Sequence, residues 1–201
     1  MLSRTQVINN ALRAISANLV ADPDEDTESA RQAKGVYEQT VRAEMENHAW
    51  FFAKGQAALA QSAAAPTFKF ARAFQVPSDF VRLVELQDRW VFSIIRGVDT
   101  DPVPPYELQG RSILTDFGAP LNITYLRDLS NDPTLWSPLF AEVVSAALAI
   151  ALAMPLTKSE GMVSLTEKLY QKALRRAKTA NAIQMPPHNI PDASWITARL
   201  Y

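Results

Sequence analysis

The chain of 201 residues contains no cysteine. This excludes disulfide bonds, thiolate catalysis and zinc or iron–sulfur sites with cysteine ligands, and it fits a product made in the cytoplasm. The formal net charge is only −1, so the overall composition gives no sign of binding nucleic acid or an anionic membrane. The first residues also lack the basic and then apolar run that is typical of a signal peptide.

Motifs of several enzyme classes are missing as well. The sequence has no Gly-x-Ser-x-Gly elbow, no Gly-Lys-Ser/Thr phosphate loop and no dinucleotide-binding Gly-x-Gly-x-x-Gly. There are only six glycines, against thirteen prolines that cluster at 102–105, 133–138 and 186–191 and mark expected boundaries. We therefore predict a protein that is not an enzyme and that has no cofactor and no metal.

The longest apolar stretch lies at residues 137–156 and is rich in good helix formers. Pro138 follows a possible cap at Ser137, and from Val143 onward almost every face is apolar. Its uninterrupted apolar part is shorter than the roughly 20 residues needed to cross a bilayer, and Glu142 lies near its start. The stretch therefore predicts the central helix of a soluble bundle, with no membrane partner.

Three other segments have helical periodicity. Ser3 and Gln6 form a possible capping box at the start of the first, and Trp50-Phe51-Phe52 forms an apolar plug at the end of the second. The predicted helices span about 4–20, with Ile8, Leu12, Ile15 and Leu19 on one face; 27–52, with Ala33, Tyr37, Val41, Met45, His48 and Phe52 near one face; and 162–183, with Leu165, Leu169, Lys172 or Ala173, and Arg176 or Ala177 inward.

Between the second and third helices the period shortens to two residues, which predicts strands. A weakly determined link at 57–65 comes first, and alternation then runs through 68–76. The other predicted strands are two within 80–95 that break near 87–89, a hairpin of 106–108 with 112–115 around Gln109-Gly110-Arg111, and a last strand at 121–126.

Together these patterns predict a mainly α (α+β) fold, a four-helix bundle with a small antiparallel β module between helices two and three. The expected ranges are 1–54 and 131–184 for the two halves of the bundle, 55–130 for the β module and 185–201 for an extended C-terminal arm. That arm has three prolines and no helical stripe, yet it carries several large apolar side chains. We expect those side chains to dock on another molecule.

Three groups of residues have both a functional and a structural interpretation. Glu44 and His48 have the spacing of two metal ligands, but no third ligand accompanies them, which favours a half-buried histidine with a local hydrogen bond. Glu142 could act as a general acid, although a carboxylate in the first helical turn also suits the helix dipole. The basic stretch 158–178 could meet phosphates or form a solvated helix face. The acidic loop 22–26 lacks the ligand spacing of an EF-hand.

The order of these parts resembles the tail tubular protein A family of short-tailed bacteriophages. The motifs that carry the resemblance are Asn9-x-x-Leu12-x-x-Ile15, Tyr37-x-x-x-Val41-Arg42-x-Glu44, Trp50-Phe51-Phe52-Ala53, Val76-Pro77-Ser78-Asp79-Phe80-Val81-Arg82, Tyr106-x-x-x-Gly110-x-x-Ile113-x-Thr115, Phe140 through Leu156-Thr157, and Ser194-Trp195-Ile196-x-Ala198-Arg199. One departure is Ser16, because relatives commonly have glycine after the isoleucine.

The resemblance implies a structural virion protein at the head–tail interface, made in the host cytoplasm. Such adaptors form a homo-oligomeric ring, usually a dodecamer, that joins the portal protein to the tail nozzle protein. DNA passes through the channel without sequence-specific binding. The implied portal-binding arm contains Ile190, Trp195, Ile196, Arg199, Leu200 and Tyr201.

A ring subunit must present two different faces to its neighbours. We expect the acidic loop and the basic last helix to contribute opposite halves of that contact, through Asp24, Glu25, Asp26, Lys172, Arg175 and Arg176. Two alternatives stay open: a virion-associated cell-wall hydrolase that uses Glu142 or Glu44 as acid, and a nucleic-acid-binding module that uses the basic helix.

Overall fold

The computed structural model describes residues 2–87, 89–90 and 106–184. This part of the chain has a mixed α+β fold with four α-helices and seven strands. The elements are α1 (Arg4–Ala14), α2 (Glu28–Asn47), β1 (Lys54–Leu59), β2 (Arg72–Gln75), β3 (Phe80–Leu86), β4 (Arg89–Trp90), β5 (Tyr106–Gln109), β6 (Ser112–Thr115), β7 (Leu121–Arg127), α3 (Pro138–Thr157) and α4 (Glu160–Ile183). As predicted, all the strands lie between the second and third helices.

The chain divides into two compact units. The helical unit contains Met1–Gly55, Asp79–Arg82 and Leu126–Ala182, and the strand unit is drawn from the remaining described residues. All four helices therefore belong almost entirely to one unit, although α2 and α3 are separated by some 90 residues of sequence.

Helix α1 begins as predicted, since the Ser3 side chain accepts a hydrogen bond from the Gln6 N–H and the Gln6 side chain accepts one from the Ser3 N–H. The predicted end at residue 20 is wrong, because the helix stops at Ala14. The N–H of Ser16 donates to the Arg13 carbonyl and the N–H of Ala17 donates to the Leu12 carbonyl. This is a Schellman motif, and Ser16 occupies its left-handed position with φ 56°.

Helix α2 also ends earlier than predicted, at Asn47 rather than Phe52. His48 is extended, and a short 3-10 turn follows at Phe51–Ala53. Trp50 is nonetheless fully buried, and its indole N–H donates to the Glu44 carbonyl at 2.8 Å. Its ring also contacts Phe140 of α3, with 5.1 Å between ring centroids. The apolar plug predicted here is therefore centred on Trp50, but it lies outside the helix.

Helix α3 matches its prediction closely. The Ser137 hydroxyl accepts a hydrogen bond from the Phe140 N–H, Pro138 opens the helix, and both α1 and α2 pack on it. By length and composition α3 is apolar enough to cross a membrane, and half of its most apolar window is buried inside the protein. The expectation that it is enclosed on all sides is only partly met, because Met154 is exposed and Ile150 is half-buried.

For helix α4, the set of residues predicted to face inward agrees only partly with the structure. Its buried residues are Thr166, Asn181 and two that were predicted to face inward, Ala173 and Ala177. Leu165 and Leu169, which were predicted to face inward, are 48% and 41% exposed. The true inner face is therefore rotated toward smaller and more polar side chains.

The strands form two small sheets with the orders β1-β7-β3-β4 and β2-β6-β5. The β5–β6 hairpin is confirmed: Gln109 pairs with Ser112, and Gly110 in the turn has φ 59°. The link predicted at 57–65 starts too early, because β1 (Lys54–Leu59) occupies its first three residues. The strand predicted at 68–76 is reduced to β2, since Lys69 has φ 74° and Phe68 is 79% exposed.

Candidate interaction surface

An open groove of about 470 Å³ lies on the helical unit between α1, α3 and α4. Small side chains, including the buried Ala149 and Ala173, line its base. Leu169 lies at its rim, and Ala14 of α1 lies across from it. Leu169, one of the two leucines that the sequence placed on the inner side of α4, therefore borders an open groove, where its apolar surface is available for another molecule to cover.

Basic side chains follow the same stretch of α4. Lys168, Lys172 and Arg175 are exposed, and none of them has an ion-pair partner among the described residues. Arg176 differs, because its Nη1 lies 2.9 Å and 3.2 Å from the two carboxylate oxygens of Glu142. Lys172, Arg176 and Glu142 line the groove, so after the Arg176–Glu142 pair Lys172 contributes one net positive charge there.

Glu142 is therefore the exposed partner of an arginine. It lies in the second turn of α3, so its predicted place in the first turn is wrong, and its ion pair with Arg176 joins α3 to α4. A surface ion pair of this kind contributes about 0–1 kcal/mol to stability. This arrangement agrees with a structural role for Glu142 and gives no support to the hypothesis that it is a general acid.

The acidic loop between α1 and α2 is organised by its own hydrogen bonds. Glu25 accepts hydrogen bonds from the N–H groups of Ala21 and Asp22 and from the hydroxyl of Thr27, and these bonds hold the pKa of Glu25 below its usual value. Asp24 forms an ion pair with Lys34 at 2.7 Å, and Asp26 forms one with Arg31 at 2.8 Å.

The loop is also anchored at its start. The side-chain amide of Asn9 donates to the Val20 carbonyl at 2.8 Å, and its oxygen accepts from the Val20 N–H at 2.9 Å. Val20 is buried, whereas Leu19 beside it is 50% exposed. The loop therefore presents one large apolar side chain next to its carboxylates on a fixed backbone.

Glu44 and His48, which have the sequence spacing of two metal ligands, occupy different structural positions. His48 has left the helix, and no group of three or more potential ligands occurs in the part of the chain that the structure describes. Instead the Nδ2 of Asn181 lies 3.2 Å from the His48 Nε2 and donates to the Ala49 carbonyl. Burial lowers the pKa of His48, in agreement with a neutral ring that accepts this bond.

Glu44 differs from the exposed Glu142 in its environment. Its carboxylate is buried on α2, its Oε1 accepts a hydrogen bond from the Tyr170 hydroxyl at 2.9 Å, and its Oε2 has no partner among the described residues. Burial raises the pKa of Glu44, and hydrogen bonding to the Tyr170 and Asn47 side chains and the charge of Lys178 oppose this increase. This pair joins α2 to α4.

The portal-binding arm predicted at 185–201, with Ile190, Trp195, Ile196, Arg199, Leu200 and Tyr201, lies outside the described residues. No known protein family matches this chain, and no curated protein matches it significantly. The resemblance thus depends on the quoted motifs alone. Sequence reasoning did not single out Asn181, and it named Asn9 only within a motif and Leu19 only as part of a helical face. A polar residue close to an apolar helix stripe was the available signal for the two asparagines.

Proposed function

We propose that this chain is a subunit of the head-to-tail adaptor ring of a short-tailed bacteriophage. In this proposal the four helices form a bundle that packs beside its neighbours in the ring, and the ring joins the portal protein to the tail nozzle. The subunit has a structural role without a catalytic step, and DNA passes through the channel. A ring of twelve copies at the head–tail interface of the virion is the arrangement that the resemblance implies.

The observation that carries the proposal is the conformation of Ser16. It is the position at which the resembled family commonly has glycine, and here it has φ 56°, the left-handed geometry that glycine adopts without steric cost. The residue that differs from the family pattern is therefore at a position whose backbone has the left-handed conformation that glycine adopts easily. This supports the same loop geometry between the first two helices.

Other residues of the quoted motifs also have a specific structural task. Asn9 anchors the loop through Val20, Trp50 is buried beside Phe140, and Gly110 occupies the turn of the hairpin with positive φ. These positions support a shared fold with the family, and the adaptor role follows from the resemblance.

The test is binding to the portal ring of the same phage. We expect the full chain to bind the purified portal ring and a chain truncated after Ile183 to lose binding while keeping its circular dichroism and melting transition. Trp195→Ala should weaken binding in the full chain, whereas Thr197→Ala serves as the matched control. A full chain that fails to bind portal rings would refute the adaptor role, and a truncated chain that binds normally would remove the arm from it.

A further inference from the structure

Two surfaces of the helical unit have complementary chemistry. One is the groove between α1, α3 and α4, with Leu169 and Lys172 at its rim and Arg175 nearby on α4. The other is the α1–α2 loop, which presents Leu19 beside the carboxylates of residues 22–26. None of the loop residues lines the groove of its own chain.

The charges of the two surfaces are opposite. The loop and the first turn of α2 carry five carboxylates, of Asp22, Asp24, Glu25, Asp26 and Glu28, and only two are balanced by the ion-paired Lys34 and Arg31. Residues 167–178 of α4 carry five bases, and Glu167 and Glu142 balance two of them. The loop and the first turn of α2 therefore have a net charge of −3. The charged residues that line the groove, Lys172, Arg176 and Glu142, have a net charge of +1, and the exposed Arg175 lies next to Arg176 on α4.

We propose that the α1–α2 loop of one copy docks in the α1–α3–α4 groove of a second copy. This inference rests on the proposed ring and names the contact that closes it. Leu19 packs against Leu169, and Asp24 and Asp26 face Lys172 and Arg175. Asp24 and Asp26 keep their ion pairs with Lys34 and Arg31, because an exposed carboxylate has several lone pairs and can accept from more than one donor.

The loop is suited to such a contact because it is ordered before binding. Asn9 holds both backbone groups of Val20, and Glu25 holds the N–H groups of Ala21 and Asp22. Docking a preorganised loop loses less conformational entropy than docking a flexible one. The exposed charges set the register and the rate of association more than the affinity, so the contact should weaken as salt screens them.

The contact joins unlike surfaces and is therefore heterologous. Each copy offers one loop and one groove, so every copy can bind two neighbours. Repetition of one rotation then closes a ring, which is the symmetry that an adaptor needs.

A charge-exchange experiment tests the contact. Variant A carries Lys172→Glu and Arg175→Glu, and variant B carries Asp24→Lys and Asp26→Lys. Each variant alone places like charges on both surfaces, so neither should self-associate in sedimentation velocity under conditions in which the wild-type chain forms a ring. In an equimolar mixture of A and B both surfaces are complementary again, and the ring should return. Circular dichroism of each variant reports whether it is folded.

The apolar part of the contact has its own variants. Leu169→Asp should abolish the ring, and Met154→Asp, an exposed position on α3 away from the groove lining, should leave it intact. Rings that persist in A or B, a mixture that stays monomeric, or a wild-type chain that never self-associates would each overturn the inference. Portal binding by the wild-type chain in those cases would leave the adaptor role standing with another interface.

A closed dimer that is lost in A and B and restored in the mixture would support the loop-in-groove contact and refute the ring. Rings lost on truncation after Ile183 but unaffected by both charge variants would place the C-terminal arm in the groove instead, and that outcome would overturn the proposal.

Discussion

Replacing Glu44 by glutamine should stabilise the protein at neutral pH. The Glu44 side chain is 8% exposed, and only one of its two carboxylate oxygens has a hydrogen-bond donor among the described residues. A buried polar atom without a partner costs about 1–3 kcal/mol, and more if it is charged. Glutamine keeps the shape and the acceptor for Tyr170, but its amide group leaves a polar atom at the position of Oε2. Only the cost of burying the charge is removed, so we expect a gain of up to about 1 kcal/mol in the free energy of unfolding.

The pH dependence gives the sign of the effect. Burial raises the pKa of Glu44 in the folded state above its ordinary value of 4.5, so the folded state binds the proton more tightly than the unfolded state does. Wild-type stability from this group therefore increases as pH falls through the raised pKa, and it levels off below 4.5. The advantage of Glu44→Gln should shrink over the same interval, because each unit of raised pKa corresponds to about 1.4 kcal/mol.

Urea unfolding at several pH values from neutral down to 4.5 measures this difference. Tyr170 stays a hydrogen-bond donor throughout, because burial raises the pKa of its hydroxyl to about 12. Tyr170→Phe should destabilise the wild-type chain more than it destabilises the Glu44→Gln variant. The control Glu46→Gln changes an exposed residue of α2 and should leave the free energy of unfolding almost unchanged. A Glu44→Gln protein that is less stable at neutral pH, or that keeps the wild-type pH slope, would refute the reasoning.

Three further substitutions test the packing of the helical unit. Ser16 has a left-handed backbone conformation that costs a non-glycine residue about 1–2 kcal/mol, and Ser16→Gly removes this cost. Glycine also raises the entropy of the unfolded chain, so the net gain in the free energy of unfolding should be up to about 1 kcal/mol. Thermal melts check it, and Ser16→Ala should show no such gain. Leu148→Asp places an unpaired charge at a fully buried position of α3 and should abolish the cooperative thermal melt. The control Met154→Asp changes an exposed residue of the same helix and should fold. A folded Leu148→Asp protein would contradict the core position of α3. Asn9→Ala removes both hydrogen bonds to Val20 and should cost about 1–3 kcal/mol in urea unfolding, and an unchanged midpoint would show that the loop needs no anchor.

Local patterns determined several elements without help from the rest of the chain. The Ser3–Gln6 capping box, the Ser137 cap with Pro138, and the Gly110 turn each involve residues close in sequence, and all three are found in the structure. Helix α3 was predictable for the same reason, since a long run of apolar helix formers has few other folded solutions. The groove was not predictable, because periodicity identifies an apolar face of α4 but cannot tell which neighbour covers it.

Tertiary structure decided the features that depend on distant residues. Asn181 of α4 accepts from the Phe51 N–H and donates to the Ala49 carbonyl, and these bonds satisfy backbone groups where the chain leaves α2. Ala-rich β1 is a strand because it pairs with β7, since alanine has little strand propensity of its own. The amino-acid sequence thus determined where helices and turns start, through contacts within a few residues. Which side of α4 faces inward and how deeply Glu44 is buried were decided by packing between elements far apart in the chain.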